Sequence, residues 1–381
     1  MAGRVGLGLS VVFLMTVAFN LVTSLLLRDR AVKVPAIVSS KEAALYDPYA
    51  QNGFWLKGCF HVHTDAHPVT PERHTPHLVA SSYRERGYDV LAISDYNQIT
   101  DGARFFPYAM PSYEWGHNLI KRHALVLGAE EVVPDYFPLF AFRENVQWSL
   151  HRLSGSGAFV AINHPLLFGA FTDEDLVSLD GYQGVEIFSP FGDVVDLYDR
   201  ILSAGRPVFP LASDDLHYLP AALIAEAGEP FYKRVMRMAA NLEGREGEAF
   251  LRYNYVLSRS RKAEHIKEAL CRGSFVAVRE YLSGFGQRPI HFIGVQNGEV
   301  RVKLDKAAQQ IDFIGPGGEV LKRVQNTNAA SFAVTEIESY VRIDIQDLRG
   351  RMLSSPFFRH DGSLSNGLCR EAAMAAHSDE K

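Results

Sequence analysis

From Gly53 onward, apolar runs of strand length alternate with segments of helical period. The strand candidates are residues 54–63, 89–94, 124–129, 158–163, 184–188 and 207–212, and helical patterns lie at 77–86, 144–153, 173–179 and 194–204. Strands that alternate with helices predict βαβ units and a parallel sheet. Six or more such units without a dinucleotide-binding glycine fingerprint favour a barrel over an open sheet. Residues 218–262 interrupt the rhythm, with an amphipathic helix predicted at 231–242; a further helix at 264–271 precedes a strand at 275–278. After about Gly284 the pattern changes to short strands separated by turn residues, among them Asn297-Gly298 and Gly315-Pro316-Gly317-Gly318. This predicts a small all-β sandwich over 284–358. The glycine-rich run lacks the Lys-Ser/Thr of a phosphate loop and reads as a hairpin turn.

The N-terminus follows neither period. Residues 5–27 hold no charge, and Asn20 is their only amide. A helix of that length spans roughly 34 Å, enough for a bilayer core of about 30 Å. The expectation is a single-pass membrane anchor, with a cleavable signal peptide as the rival reading. Arg4 precedes the run and Arg28, Arg30 and Lys33 follow it, so the side on which the rest of the chain would lie stays open. The expected organisation is an anchor at 5–27, a polar linker at 28–52, a barrel at 53–281, the sandwich at 284–358 and a disordered tail at 359–381.

Composition narrows the function classes. Of 381 residues, 47% are hydrophobic and 22% charged, a globular balance, and the net charge of -5 gives nucleic-acid binding no electrostatic support. Cys59, Cys271 and Cys369 are too sparse for a zinc knuckle or a disulfide framework, and Cys59 lies in an apolar run as a small core residue.

The chemistry sits at the ends of the predicted strands, where the loops of a barrel build its site. The first ends His61-Val62-His63-Thr64-Asp65, and residues two apart on a strand face the same way, so both imidazoles point together. The later strands end in Ser94-Asp95-Tyr96-Asn97, Gly128-Ala129-Glu130-Glu131, Asn163-His164-Pro165 and Ser213-Asp214-Asp215-Leu216-His217, and the fifth contains Glu186. A donor set of His, Asp and Glu without Cys suits Zn, Mn or Fe in a catalytic site. No Gly-x-Ser-x-Gly elbow supports a serine nucleophile.

Taken in order, these motifs resemble the polymerase-and-histidinol-phosphatase (PHP) family, over roughly residues 53–280. The resemblance implies a distorted (β/α)7 barrel, here with an N-terminal transmembrane helix and a small C-terminal all-β domain. It implies two or three divalent metal ions and hydrolysis of phosphate esters. Carried onto this chain, it places His61, His63, Glu130 and Asp215 on a first metal, Glu130 and His164 on a second, and His217 at a third. Asp214 and Asp215 remain interchangeable by one register. Residues 255–277 and the following β domain are similar to a branch of the family that includes ester- and carbamate-cleaving metallohydrolases.

Two departures stand out. The second motif normally ends Asp-His, whereas this chain has Asp95-Tyr96. The family also often supplies a histidine between the third and fourth motifs, where this chain offers His151 in a predicted helix. His67, His74 and His77 could replace lost ligands, His67 foremost because it lies nearest the first motif. Asp95 and the loop cation Arg73 are the candidate catalytic groups, and Glu186 is either a support for the ligands or a structural partner. The expected activity is hydrolysis of a small-molecule phosphoester by metal-activated hydroxide. The alternatives are an ester, amide or carbamate metallohydrolase, and a membrane-tethered binding module with a decayed site.

Overall fold

The structure is a computed structural model that describes residues 2–27, 37–38, 43–67, 74–219, 249–281, 290–335, 338–360 and 368–369. The helix expected at 231–242 and the cation Arg73 lie outside these residues. The chain adopts a mixed α/β fold with a C-terminal sheet region.

Helix α1 (Ala2–Leu27) lies against the body beside α3 (Arg143–Gly155). Asn20 is fully buried and donates to the Phe140 carbonyl, Ser24 Oγ donates to Asn145 Oδ1 at 2.8 Å, and Phe19 stacks on Phe137. A polar stripe of Asn20, Thr23 and Ser24 thus binds one side of α1 to the protein. Among the described residues no helix is long and apolar enough to cross a membrane. The expected single-pass anchor is therefore withdrawn, and the membrane localisation with it.

The hydrogen-bonded strands form two sheets. The six-stranded sheet runs β4 (Ser112–Trp115), β5 (Ala124–Leu127), β6 (Phe159–Ile162), β7 (Gly184–Ser189) and β8 (Gly192–Asp193), with β9 (Phe209–Ala212) on the other side of β7. β6, β7 and β9 are parallel, whereas β5 runs antiparallel to both of its neighbours, β4 and β6. The eleven-stranded sheet contains the parallel pair β2 (Phe54–Cys59) and β3 (Val90–Leu91), then β10 (Arg252–Ser258) and β11 (Phe275–Glu280). Among the described residues no closed barrel of named strands joins them. Isolated bridges at Val62↔Leu216, Leu91↔Ala109 and Tyr96↔Glu114 connect the two sheets.

β11 pairs with β16 (Gly350–Ser354), so hydrogen bonding runs unbroken into the C-terminal strands. Those strands are β12 (Ile290–Gln296), β13 (Glu299–Ile314), β14 (Val320–Ala333), β15 (Tyr340–Asp347), β16 and β17 (Phe357–His360). The Gly315–Gly318 run turns β13 into β14. Part of the expected linker is ordered, since β1 (Ala44–Tyr46) pairs with β17. The expected tail also begins inside β17, and Cys369 forms a disulfide with Cys271 across 98 residues. Nothing in three sparse cysteines signals that pairing, because it depends on where α6 (Ala263–Arg272) packs. Cys59 is the free, buried cysteine.

Candidate metal centre

Chain continuity beyond β2 sets the first two donors. Val62 is bridged on one side by Leu216 and accepts from Ser94 N at 2.9 Å on the other, while His63 N donates to Leu216 O at 2.8 Å. The segment stays extended, so Val62 enters the core and His61 and His63 turn together to the other face. Both imidazoles are buried, at 0% and 2% exposure.

They meet Glu114 of β4 and Asp215, which follows β9. The His61 and His63 Nε2 atoms lie 3.2 Å apart. Asp215 Oδ1 is 3.1 and 3.2 Å from them, and Glu114 Oε2 is 3.4 and 3.2 Å away. A tetrahedral zinc at ~2.0–2.1 Å from each donor requires donor separations of about 3.3–3.4 Å. The four side chains therefore stand at the edge lengths of such a site. The second carboxylate oxygen of Glu114 faces a second group: Oε1 is 3.0 Å from His123 Nδ1 and 3.1 Å from His164 Nε2. One carboxylate thus joins two donor sets. Asn163 Nδ2 also donates to Oε1, at 2.8 Å.

Glu186 of β7 lies directly behind these ligands. Its Oε1 accepts from His61 Nδ1 at 2.6 Å and its Oε2 from the His164 backbone N–H at 2.7 Å. This fixes the His61 tautomer with Nε2 free to coordinate. His164 and Asp215 have φ of 27° and 42°, sparsely populated for side-chain-bearing residues and here held at two ligands. Gly116, at φ 102°, turns the chain after β4 where a Cβ would meet Arg122 O at 3.0 Å and His123 Cδ2 at 3.2 Å.

The electrostatics describe a site built for a cation. Burial opposes ionisation of Glu114, yet His61 and His123 hold its pKa well below the ordinary carboxylate range. Burial likewise opposes ionisation of Asp215, and His61 and His217 outweigh it. Burial favours neutral His61, but Asp215, Glu186 and Glu114 push its pKa well up. Burial brings His123 down to about 4, which keeps it neutral and able to coordinate. No Lys or Arg pairs with Glu114, Glu186 or Asp215 among the described residues. Buried atoms of the donor set are also left without hydrogen-bond partners: His63 Nδ1, His123 Nε2, His164 Nδ1 and Glu114 Oε2. Buried carboxylates with no Lys or Arg partner among the described residues, ringed by imidazoles, fit divalent metal ions.

Of the sequence-based ligands, His61, His63, His164 and Asp215 fall in the two groups, whereas Glu130, Asp214, His217 and His67 do not, and Glu114 and His123 enter instead. Glu130 is exposed and lies outside both groups. β5 runs antiparallel to β6, so its start rather than its end reaches the mouth and delivers His123. Glu114 takes the carboxylate position from β4, a strand that the apolar pattern misses because Ser112 and Glu114 alternate with Tyr113 and Trp115. With Glu114 as the third motif, the interval before His164 contains His123, and His151 is not needed. His151 pairs instead with Asp180 on α3's flank.

The doubled aspartate divides its roles. Asp215 faces the donors, whereas Asp214 accepts from Tyr83 Oη at 2.9 Å and from the backbone N–H groups of Phe250 and Arg252. Burial raises the Asp214 pKa to about 6. Asp95 accepts from Thr64 N at 2.7 Å and from the hydroxyls of Thr64 and Thr100, so it braces the loop after His63. His217 stands at the rim, its Nε2 3.2 Å from Asp215 Oδ1. The His67 ring lies 6.2 Å from that of His117, His74 packs edge-on to Tyr218, and His77 packs edge-on to Phe105. Tyr96 enters the site, stacked on His63.

No protein-family model matches the sequence, and no curated protein matches it. Solved structures are similar at a distance. A two-domain protein containing a predicted PHP-like metal-dependent phosphoesterase, from Bacteroides vulgatus, is 12% identical with a TM-score of 0.43, over 83% of this chain and 94% of that one. A proposed metal-dependent phosphoesterase from Bifidobacterium adolescentis is 14% identical with a TM-score of 0.31, over 42% of this chain and 87% of its own. An amidohydrolase from Chromobacterium violaceum, with bound sulfate and no metal, is 12% identical with a TM-score of 0.32, over 47% and 96%. These likenesses are too distant to assign a function, which rests on the side chains of the site itself.

Proposed function

We propose that the chain is a metal-dependent hydrolase of phosphoesters. The observation that carries this reading is the shared carboxylate of Glu114, with His61, His63 and Asp215 at one oxygen and His123 and His164 at the other. The first four residues would hold one ion, and Glu114 with His123 and His164 a second. Bound there, divalent ions supply Lewis acidity that brings the pKa of water to about 7 and offsets charge on a substrate oxygen.

The protein's own groups do the arranging. Glu186 keeps the His61 proton on Nδ1 and leaves Nε2 for the ion. Asp95, through Thr64, holds the loop that leaves β2 at the mouth. His217 lies at the rim with its side chain 20% exposed, where a proton on Nε2 would pass to a departing oxygen. Two ions held on one shared carboxylate would suit displacement at phosphorus, where charge on both the attacking and the leaving oxygen needs to be offset.

The same reading takes residues 53–281 as a strongly distorted seven-stranded barrel, with residues 284–358 as an appended β domain. Its support is the set of bridges Tyr96↔Glu114 and Val62↔Leu216, which link β3 to β4 and β9 to the extension of β2.

The deciding experiment assays the full chain, loaded with Zn, Mn or Fe, on phosphomonoester, phosphodiester and aryl-ester substrates. Metal-dependent cleavage of a phosphoester that is lost in His63→Ala is the expected result. Cleavage of the aryl ester alone would move the chemistry to carbonyl carbon. Full phosphoester activity in His63→Ala would end the metal reading.

A further inference from the structure

The ligand imidazoles are held in two different ways. His61 is oriented by a hydrogen bond from Nδ1 to Glu186. His63 has no such support, because its Nδ1 is buried without a hydrogen-bond partner while its Nε2 is the atom turned to Glu114 and Asp215. His123 is alike, with Nδ1 toward Glu114 and Nε2 buried and unpartnered. A metal-binding imidazole that lacks a hydrogen-bond partner can still be oriented by packing on its ring.

Tyr96 provides that packing. Its ring stacks on His63 with centroids 4.6 Å apart and planes at 26°, and on His117 at 5.2 Å and 19°. It meets His123 edge-on at 5.6 Å and lies 6.5 Å from His217. One phenol ring thus touches imidazoles from the end of β2, from the loop and start of β5, and from the segment after β9. Two of them, His63 and His123, belong to different donor groups. His217 adds a second parallel ring to His63, at 4.5 Å and 7°. Stacked and edge-on ring pairs at such separations favour particular orientations of the two rings.

We infer that Tyr96 is a positioning residue whose ring, rather than its hydroxyl, orients His63 and His123 for the two metal ions. The inference rests on the metal reading above. It follows that the ring is the part to preserve. Tyr96→Phe keeps it, Tyr96→Leu keeps bulk without a flat face, and Tyr96→Ala removes both.

The test measures the affinity of the full-length parent and these variants for Zn²⁺ by competition with a chromophoric chelator, alongside thermal unfolding of the metal-free proteins. Phe should bind within about two-fold of the parent, whereas Leu and Ala should lose roughly 10–100-fold, the range seen when groups behind a metal ligand are removed. A purely structural role would lower the unfolding temperature and leave the affinity unchanged. If Phe loses as much as Ala, the hydroxyl is the working part and the inference is overturned. It is equally overturned if Leu binds as the parent does. Absence of Zn²⁺ binding by the parent would remove the metal reading itself, and the inference with it. Loss confined to Leu and Ala leaves both standing.

Discussion

Two regions of this protein bury several charges, and they settle them differently. In the C-terminal sheet, Arg342 of β15 is 2% exposed and sends Nε and Nη2 to the two oxygens of Asp199, each at 2.7 Å, and Nη1 to Asp344 at 3.3 Å. Arg351 and Gln346 complete Asp344. Asp199 belongs to α5 (Val195–Ser203), so the network ties that helix to the sheet. In the candidate metal centre, Glu114, Asp215 and Glu186 are also buried, with no Arg or Lys paired to them among the described residues, and four polar atoms of the donor set are left over. A network that serves only the fold closes on itself, since an unpaired buried charge is expensive. A network that stays open at the centre of a protein suits a partner from outside the chain.

The most forceful way to break this comparison is to remove the residue that the two donor groups share. Glu114→Ala should lose both ions and cut phosphoester turnover by more than ~100-fold, beyond what loss of a supporting group costs. Elemental analysis of the purified protein reads this directly, and Glu130→Ala should match the parent. Added Zn²⁺ should raise the melting temperature of the parent, because an ion that binds only the folded state stabilises it, and should leave that of Glu114→Ala unmoved.

The opposite experiment strikes the closed network. Arg342→Met strands Asp199 in the interior, leaves Asp344 to Arg351 and Gln346, and should cost about 3–5 kcal/mol of stability. Metal content per folded chain should be unchanged. Urea unfolding followed by metal analysis separates these outcomes, and loss of metal without loss of stability would show that the two regions are not independent.

A finer cut is Glu186→Gln. The amide keeps the shape behind His61 but cannot accept with the same charge at Oε1 and Oε2. Metal affinity should fall roughly 10–100-fold with little change in the metal-free fold. An unchanged affinity would mean that Glu186 serves His164's backbone alone.

How much of this was legible in the sequence depends on strand direction. The pairing of His61 with His63 follows from the two-residue period of an extended strand, and Asn163-His164 and Asp214-Asp215 sit at the ends of β6 and β9, which run parallel. The rule that ligands follow strands holds only where strands share a direction. β5 runs against its neighbours β4 and β6, so the rule points to Glu130 at its far end instead of His123 at its start, while Glu114 lies on β4, a strand that the apolar pattern misses. The apolar stretch at the N-terminus was legible as a helix and misread as a membrane span. Its outward face is apolar from Val11 to Leu26, but Asn20 and Ser24 answer to Phe140 and Asn145, more than a hundred residues away, and no local pattern reports such partners. The Cys271–Cys369 bond escaped for the same reason.

The smallest expected effect tests whether the closed network depends on charge at all. Burial opposes ionisation of Asp344, yet its hydrogen bonds with Arg351 and the charges of Arg351 and Arg342 hold its pKa below the ordinary value. An unfolded aspartate titrates near ~3.9. Between that pH and the lower folded value, the unfolded chain binds more protons than the folded one, so stability rises with pH across this interval. The contribution of Asp344 is therefore present above pH ~3.9 and is lost as the pH falls through the folded pKa. Glu114 and Asp215 titrate in the same direction, so the parent curve alone is mixed. Subtracting the curve of Asp344→Asn isolates one group, because the variant keeps the metal centre intact. The difference in urea-unfolding free energy should be flat above about pH 5 and shrink steadily below pH ~3.9. A difference that stays constant down to pH 2 would mean that Asp344 acts through hydrogen-bond geometry, which asparagine only partly copies, and not through its charge.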